Sequence, residues 1–149
     1  MKKDWNVYLS GEIHSDWREQ IIAGAASAQL SVQFASPVTN HEASDMCGVK
    51  ILGQEEQQFW QDRKGAGLNA IRTSTLINSA DIVVVRFGPQ YKQWNAAFDA
   101  GFAAALNKPL IVLHDPDHNH ALKEVDAAAN ATAQTPEQVV EILKYVIAA

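Results

Sequence analysis

Two uninterrupted apolar runs, "DIVVVRF" and "PLIVLH", restrict the fold of this 149-residue chain more than any other feature. Both runs are rich in β-branched residues, and neither alternates between apolar and polar positions. Such runs are typical of central parallel strands that helices cover on both faces. They therefore predict an α/β protein.

Three further apolar runs fit the same sheet, and helix-like segments separate all five. The predicted strands are Trp5–Leu9, Leu30–Phe34, Ile82–Val85, Leu110–Leu113 and Ala131–Ala133. The predicted helices are Ser15–Ala28, Gln54–Asn78 with a kink or a division near Gly65 and Gly67, Lys92–Asn107, Asn119–Ala129, and a last helix that starts at the capping signal Thr135-Pro136. The alternation predicts one domain over residues 1–149, with helices on both sides of a five-stranded, mainly parallel sheet.

Charge and composition exclude several classes of partner. The chain has 12 Lys and Arg against 17 Asp and Glu, a net charge of -5, and no basic stripe, which argues against polymeric nucleic acid. No apolar stretch approaches the roughly 18 residues of a membrane span. Ser10, Gly11 and Glu12 interrupt the first apolar run, which argues against a signal peptide. The single cysteine, Cys47, fits a reducing, cytoplasmic location.

A parallel sheet places its binding site at the carboxyl ends of its strands, near the point where strand order reverses. This rule selects the loops that follow the first four predicted strands. They are Ser10–Asp16, Ala35–Gly53, Arg86–Gln93 and His114–His120.

The first loop opens with a predicted turn at Ser10-Gly11, whose backbone N–H groups suit an anion at a helix N-terminus. Ser15 is the predicted N-cap of that helix. Glu12 and His14 have no local structural role, so they are candidates to orient a sugar or transfer a proton, the alternative being a solvated loop. Since neither GxGxxG nor a Walker loop is present, the sequence predicts no NAD, ATP or other cofactor.

The second loop, about 19 residues long, exceeds the usual strand-to-helix connection and predicts a lid or pocket wall. Its segment "HEASD" places His41 and Asp45 four residues apart. A single histidine outside an HExxH motif does not predict a metal site. His41 and Asp45 are instead candidate ligand contacts, with exposed loop polarity as the alternative.

The segment "FDAGFAAALNKP" places one carboxylate, Asp99, about two turns into an alanine-rich helix. Aspartate has a poor helix propensity and lies here beyond the first-turn dipole, which favours a functional role. Nearby, Arg86 suits a phosphate or an ion pair with Asp99, and Trp94 suits stacking on a base. Structural packing is the alternative for both.

With these residues the chain resembles the nucleoside 2-deoxyribosyltransferase superfamily. The order aromatic, acid, any residue, glycine, aromatic, alanine in "FDAGFA", followed by "NKP" and an apolar strand, is similar to that superfamily's motif. The segments "VYLSGEIHSDWRE", "SPVTNHEASD" and "ADIVVVRFG" resemble its YtoQ family more closely still. The resemblance implies a flavodoxin-like fold, a homo-oligomer whose pockets share residues between subunits, and a carboxylate that attacks the anomeric carbon of a deoxynucleoside.

The resemblance assigns roles to four residues. It implies that Asp99 is the nucleophile, that the Tyr8 hydroxyl orients it, and that Glu12 and His14 meet the sugar. Aspartate is one methylene shorter than the glutamate of the superfamily motif.

Four other residues also depart from the superfamily pattern. Gln93 stands where an acid helps to bind the base, Asn95 and Ala96 stand where Gly-Thr is expected, and Phe87 stands where an acid holds sugar hydroxyls. Gln93 and Asn95 remain candidate substrate contacts.

Two functions follow as hypotheses. The first is an enzyme that breaks the N-glycosidic bond of a nucleoside or nucleotide, as a transferase or a hydrolase. The alternative is a non-catalytic nucleotide or sugar-phosphate binding protein on the same fold, which the altered acids favour.

Overall fold

The computed structural model describes residues 3–147. Its strands are β1 Trp5–Gly11, β2 Val32–Ala35, β3 Ile82–Phe87, β4 Leu110–His114 and β5 Ala131–Ala133. Its helices are α1 Trp17–Ser27, α2 His41–Leu52, α3 Gln58–Ser79, α4 Trp94–Ala105, α5 Lys123–Ala128 and α6 Pro136–Ile147, with a short 3-10 helix at Pro116–His118. Within the described range, no helix is both long enough and apolar enough to cross a membrane.

The five strands form one sheet in the order β2-β1-β3-β4-β5, and every neighbouring pair is parallel. This is the flavodoxin-like order, so the fold predicted from the sequence is confirmed. Strand order reverses between β1 and β3, which places the expected binding crevice at the carboxyl ends of these two strands.

Each face of the sheet has its own core because side chains alternate along every strand. Residues of β1 such as Val7 and Leu9 pack with α1 and α6, whereas Tyr8 points to the opposite face, where α3 and α4 pack. The buried residues of α4 are all alanines: Ala96, Ala100 and Ala103. Small side chains let α4 lie close to the sheet, and this carries Asp99 toward the strand ends.

The predicted loop 35–53 is wrong over its second half, which forms helix α2. The Asn40 side chain caps this helix by accepting a hydrogen bond from the Ala43 N–H at 2.8 Å. The helix then packs tightly on α3, since a Cβ on Gly48 would lie 2.4 Å from the Gly65 backbone nitrogen. The cap and this close contact outweigh the polar composition of the segment. A division of α3 near Gly65 and Gly67 is also wrong, because the helix runs unbroken from Gln58 to Ser79.

The predicted turn at Ser10-Gly11 is wrong as well, because both residues belong to β1 and pair with Val85 and Arg86 of β3. Gly11 has φ +109°, and a Cβ there would lie 2.1 Å from the Arg86 carbonyl oxygen. Glycine is therefore required by the close approach of two strands, six residues before α1 begins, and not by an anion at the helix N-terminus.

Ser15 is not the N-cap of α1. Asp16 occupies that position without a side-chain cap hydrogen bond, while the Ser15 hydroxyl donates to Glu12 at 2.7 Å. A buried carboxylate without a hydrogen-bond donor costs more free energy than an exposed helix end, because water can reach the N–H groups of the helix.

Candidate active site

The carboxylate of Asp99 lies beside the carboxyl end of β1. The Ser10 hydroxyl donates a hydrogen bond to Asp99 Oδ2 at 2.5 Å. Ser10 is fully buried, whereas Asp99 is half-buried on the second turn of α4. The pair joins the last residues of β1 to the helix that follows β3, across the point where strand order reverses.

Two opposing effects act on the Asp99 carboxyl. Burial raises its pKa above the ordinary value, because desolvation disfavours the charged form. The hydrogen bond from Ser10 works in the other direction and stabilises the carboxylate. Among the described residues, Oδ1 has no hydrogen-bond partner, so this oxygen is available to a ligand.

Tyr8 lies on the same face of β1, two residues before Ser10. Its side chain is 1% exposed, and in residues 3–147 its hydroxyl has no partner in hydrogen-bonding geometry. The pKa of Tyr8 is raised to about 12, chiefly by burial and also by the negative charge of Asp99, while nearby Thr73 acts in the opposite direction. The Tyr8 hydroxyl makes no hydrogen bond to Asp99, and Ser10 makes the contact that the resemblance implies for Tyr8.

Arg86 forms an ion pair with Glu12 and not with Asp99. Its Nη1 lies 2.5 Å from Glu12 Oε2. Glu12 also accepts hydrogen bonds from the Ser15 hydroxyl at 2.7 Å and the His14 backbone N–H at 2.5 Å. Burial alone raises the pKa of Glu12, but these hydrogen bonds and the Arg86 charge outweigh it and hold the pKa below its usual value. With a side chain only 4% exposed, Glu12 has no free oxygen to offer a sugar.

The Gln93 side chain forms hydrogen bonds with the backbone of the loop between β3 and α4. Its Oε1 accepts the Gly88 N–H at 2.8 Å, and its Nε2 donates to the Gln90 carbonyl at 2.9 Å. A Cβ on Gly88 would lie 2.6 Å from Glu12 Cγ, so this loop packs directly against the loop after β1. Gln93 thus braces one wall of the site through the backbone.

Arg18 is the buried residue that sequence reasoning missed. Its guanidinium donates to the carbonyls of Leu9 at 3.0 Å, Gly11 at 3.1 Å and Glu12 at 2.6 Å. Burial lowers the pKa of Arg18 to about 10, which leaves the group charged at neutral pH. Nothing in the sequence separates this arginine from exposed ones, because its carbonyl partners are backbone atoms.

Three rings from three segments lie close together beside the loop that follows β1, and this cluster of His14, His41 and Tyr91 is called the rim. The His14 ring centre lies 4.9 Å from that of Tyr91 and 6.4 Å from that of His41. His41 Nε2 lies 3.1 Å from an Asp45 carboxylate oxygen, one helical turn along α2. The structure therefore brings together His14, His41 and Asp45, and it adds Tyr91, which the sequence did not single out.

Trp94 and Asn95 lie on the exposed side of the first turn of α4. The Lys92 ammonium lies 5.6 Å from the Trp94 ring centre. Neither the Trp94 nor the Asn95 side chain forms a hydrogen bond with the Asp99 carboxylate, which is bound by Ser10. Within residues 3–147, no group of three or more His, Cys, Asp and Glu side chains is arranged to hold a metal ion.

Comparison with known proteins identifies the family. The sequence model of the family described as Nucleoside 2-deoxyribosyltransferase YtoQ matches residues 8–147. The chain belongs to this family. A Bacillus subtilis (strain 168) protein, named Uncharacterized protein YtoQ, is 43% identical over 139 residues, which are 93% of this chain and 94% of that protein. The resemblance found in the sequence is confirmed.

Solved structures share the fold of this YtoQ-family chain at low identity. A conserved protein from Enterococcus faecalis V583 superposes with a TM-score of 0.66 at 13% identity, covering 97% of this chain and 100% of that one. The 2-deoxyribosyltransferase of the psychrotolerant bacterium Bacillus psychrosaccharolyticus superposes with a TM-score of 0.54 at 16% identity, covering 91% and 90%. Both likenesses concern the fold alone.

Proposed function

We propose that this YtoQ-family protein breaks the N-glycosidic bond of a nucleoside or nucleotide, with Asp99 as the nucleophile. The observation that carries the proposal is the half-buried Asp99 carboxylate, held by Ser10 at the strand-order reversal with one oxygen unengaged. Family membership supports a related glycosyl-transfer function. The expected partner is a small molecule and not polymeric nucleic acid. A cytoplasmic location and a homo-oligomeric state belong to the same proposal.

The chemistry needs two displacements at the anomeric carbon. In the first, Asp99 Oδ1 forms a bond to this carbon while its bond to the base nitrogen breaks. The bonding pair leaves with the base, which takes a proton from water or from a rim imidazole. In the second, the oxygen of water or the nitrogen of another base bonds to the carbon, Asp99 leaves as a carboxylate, and the acceptor gives up a proton.

The rim rings suit the leaving base. His14 and His41 bring two imidazole rings to this cluster as candidate proton donors, and Tyr91 adds an aromatic face against which a base can stack. Glu12 and Arg86 act on the substrate less directly, since their pairing holds the loop after β1 in place.

The test is a panel of ribonucleosides, deoxynucleosides and their 5'-monophosphates with detection of free base, run with and without an acceptor base. We expect turnover by the wild type and its loss in Asp99→Ala. The control is Asp62→Ala, which changes an aspartate on α3 whose side chain accepts from Gln58 at 2.6 Å. Undiminished turnover in Asp99→Ala would remove Asp99 from the mechanism.

A non-catalytic nucleotide or sugar-phosphate binding protein is the second candidate. Two observations favour it. The side chains of Glu12 and Gln93 are already hydrogen-bonded within the protein, and the buried Phe87 stands where the resemblance implies an acid. This function predicts a saturable rise in melting temperature with a nucleoside monophosphate and no release of base.

A further inference from the structure

We propose that Ser10 is the positioning residue of the Asp99 nucleophile. Ser10 holds Oδ2 of the carboxylate and leaves Oδ1 as the attacking oxygen. The inference rests on the proposed function, and it assigns to a serine on β1 the orientation of the nucleophile that the family resemblance implies for Tyr8.

Burial decides what the Ser10 hydroxyl can do. Ser10 is 0% exposed, so its oxygen cannot reach a substrate and is not itself a nucleophile. A serine hydroxyl has one proton to donate, and the 2.5 Å contact commits that proton to Asp99 Oδ2. Ser10 therefore acts only through Asp99.

The backbone around Ser10 is held on both sides. Arg18 donates to the carbonyls of Leu9 and Gly11, the two neighbours of Ser10 in the chain. Gly11 also lies so close to β3 that any side chain there would strike the Arg86 backbone. A donor fixed in this way keeps the carboxylate oriented with Oδ1 toward the substrate, which is a positioning effect.

Tyr8 is less suited to the same task in this structure. Its hydroxyl is as buried as that of Ser10, yet it has no hydrogen-bond partner within the described residues. Ser10 lies two residues nearer the carboxyl end of β1, which is roughly 7 Å along a strand. That is the end at which the site opens.

The hydrogen bond also sets the charge of the nucleophile. Asp99 is half-buried on a helix whose other eleven residues carry no charge, so desolvation favours its neutral form. A neutral carboxyl is a poor nucleophile, and the donor on Ser10 opposes this effect by stabilising the carboxylate.

The deciding experiment compares Ser10→Ala with Ser31→Ala. Ser31 is a control because its hydroxyl also donates to an aspartate, Asp4, and this pair lies at the amino ends of β1 and β2, away from the site. In Ser10→Ala we expect kcat to fall about 10- to 100-fold with little change in KM, which corresponds to the loss of one hydrogen bond to a charged group. The acidic limb of the pH profile should move to higher pH. Ser31→Ala should show neither effect.

A second measurement requires no turnover. Carbon-13 NMR follows the titration of the Asp99 carboxyl, whose signal is assigned by its absence in Asp99→Asn. The midpoint of this titration should move to higher pH in Ser10→Ala and stay unchanged in Ser31→Ala. If Ser10→Ala does not fold, Ser10→Cys keeps a side chain of similar size with a much weaker donor and should shift the titration in the same direction.

The inference is overturned if the Asp99 titration is unchanged in the Ser10 variant. It is equally overturned if Ser10→Ala has the same kcat as the wild type. A wild type that releases no base from any substrate refutes the proposed function instead. The titration separates the two failures, because it reports on the Ser10–Asp99 contact in either case.

Discussion

The Ser10 hydroxyl lies 2.5 Å from the carboxylate of Asp99, although 89 residues separate the two in the chain. The contact depends on the parallel pairing of β1 with β3 and on the alanine face with which α4 packs on the sheet. The fold and the candidate site are therefore coupled through α4.

Replacement of Asp99 by asparagine should stabilise the protein at neutral pH. Burial raises the pKa of Asp99 in the folded chain, so the folded state takes up a proton more readily than the unfolded one. The stability that this group contributes is present below the unfolded pKa of about 3.9 and is lost as the pH rises through the folded pKa. Urea denaturation should show Asp99→Asn above the wild type at pH 7, with the difference shrinking toward pH 4.

Asp81→Asn should change the stability at neutral pH in the opposite direction. The Lys3 ammonium at 2.8 Å and the Asn6 N–H at 2.9 Å hold the pKa of Asp81 below its usual value. Its stabilisation is present above the unfolded pKa and is lost as the pH falls through the folded pKa. Asp81→Asn should therefore be less stable than the wild type at pH 7, and this difference in stability should shrink at low pH. Equal signs for the two variants would contradict this electrostatic account.

Tyr8→Phe should raise the stability of the fold by about 1 kcal/mol, because it removes a buried hydroxyl that has no hydrogen-bond partner. The measurement is the urea midpoint of the variant against the wild type. A loss of stability would show that the hydroxyl has a partner in solution, with Thr73 or Asp99 as the neighbours to examine.

Gly11→Ala and Gly67→Ala should have opposite effects on stability. A Cβ on Gly11 meets the Arg86 carbonyl at 2.1 Å in a backbone conformation with φ +109°, so a loss on the order of 3 kcal/mol or more is expected. Gly67 lies inside α3 with no atom within 4 Å of an added Cβ, and alanine there should stabilise by about 0.5 to 1 kcal/mol. A tolerated Gly11→Ala would argue against the close approach of β1 to β3.

Arg18→Lys should destabilise the protein by about 3 kcal/mol, since one ammonium cannot reach the three carbonyls that the planar guanidinium serves. Chemical denaturation measures the loss. Arg63→Lys, an exposed change on α3, is the control and should leave the midpoint unchanged. Equal behaviour of both variants would mean that the carbonyls at the end of β1 find other donors.

The homo-oligomer implied by the family resemblance remains a prediction. On α4, Phe98 is 73% exposed one turn from Trp94, next to Asp99. If this face meets a second copy, Phe98→Glu should weaken the assembly more than tenfold, which corresponds to about 2 kcal/mol for an apolar side chain of this size. Sedimentation should then show a lower mass for Phe98→Glu and an unchanged mass for Tyr145→Glu on α6. A monomeric wild type would contradict the prediction.

The sheet could be predicted because continuous β-branched runs have few alternatives to a buried parallel strand. The end of β1 could not, since Ser10 and Gly11 have turn composition and enter the strand only through the backbone of β3. For the same reason Ser10 was missed as the partner of Asp99, although its position two residues after Tyr8 places both on one face. In a strand that reaches Gly11, Tyr8 and Ser10 point to the same face by period-two alternation, and this shared face indicates the contact of Ser10 with Asp99.

The roles of charged residues were harder to anticipate than the fold. Glu12 follows β1 as the sequence predicts, whereas Arg86 belongs to β3 and not to the loop predicted to begin there. The ion pair between these two residues depends on distances that no spacing in the sequence encodes. Helix α2 was missed because its stabilising contact joins Gly48 to Gly65, and glycine ordinarily indicates a break.

The glycine contact between α2 and α3 has a consequence for how such a protein can change. His41 and Asp45 reach the rim on a helix that packs chiefly on α3, whereas Ser10 and Asp99 are fixed by the sheet and α4. The proposed nucleophile and the proposed ligand-contacting helix α2 thus belong to separately anchored parts of the architecture. If the proposed function holds, exchange of the α2–α3 hairpin between relatives should alter ligand preference and leave Ser10 and Asp99 in place.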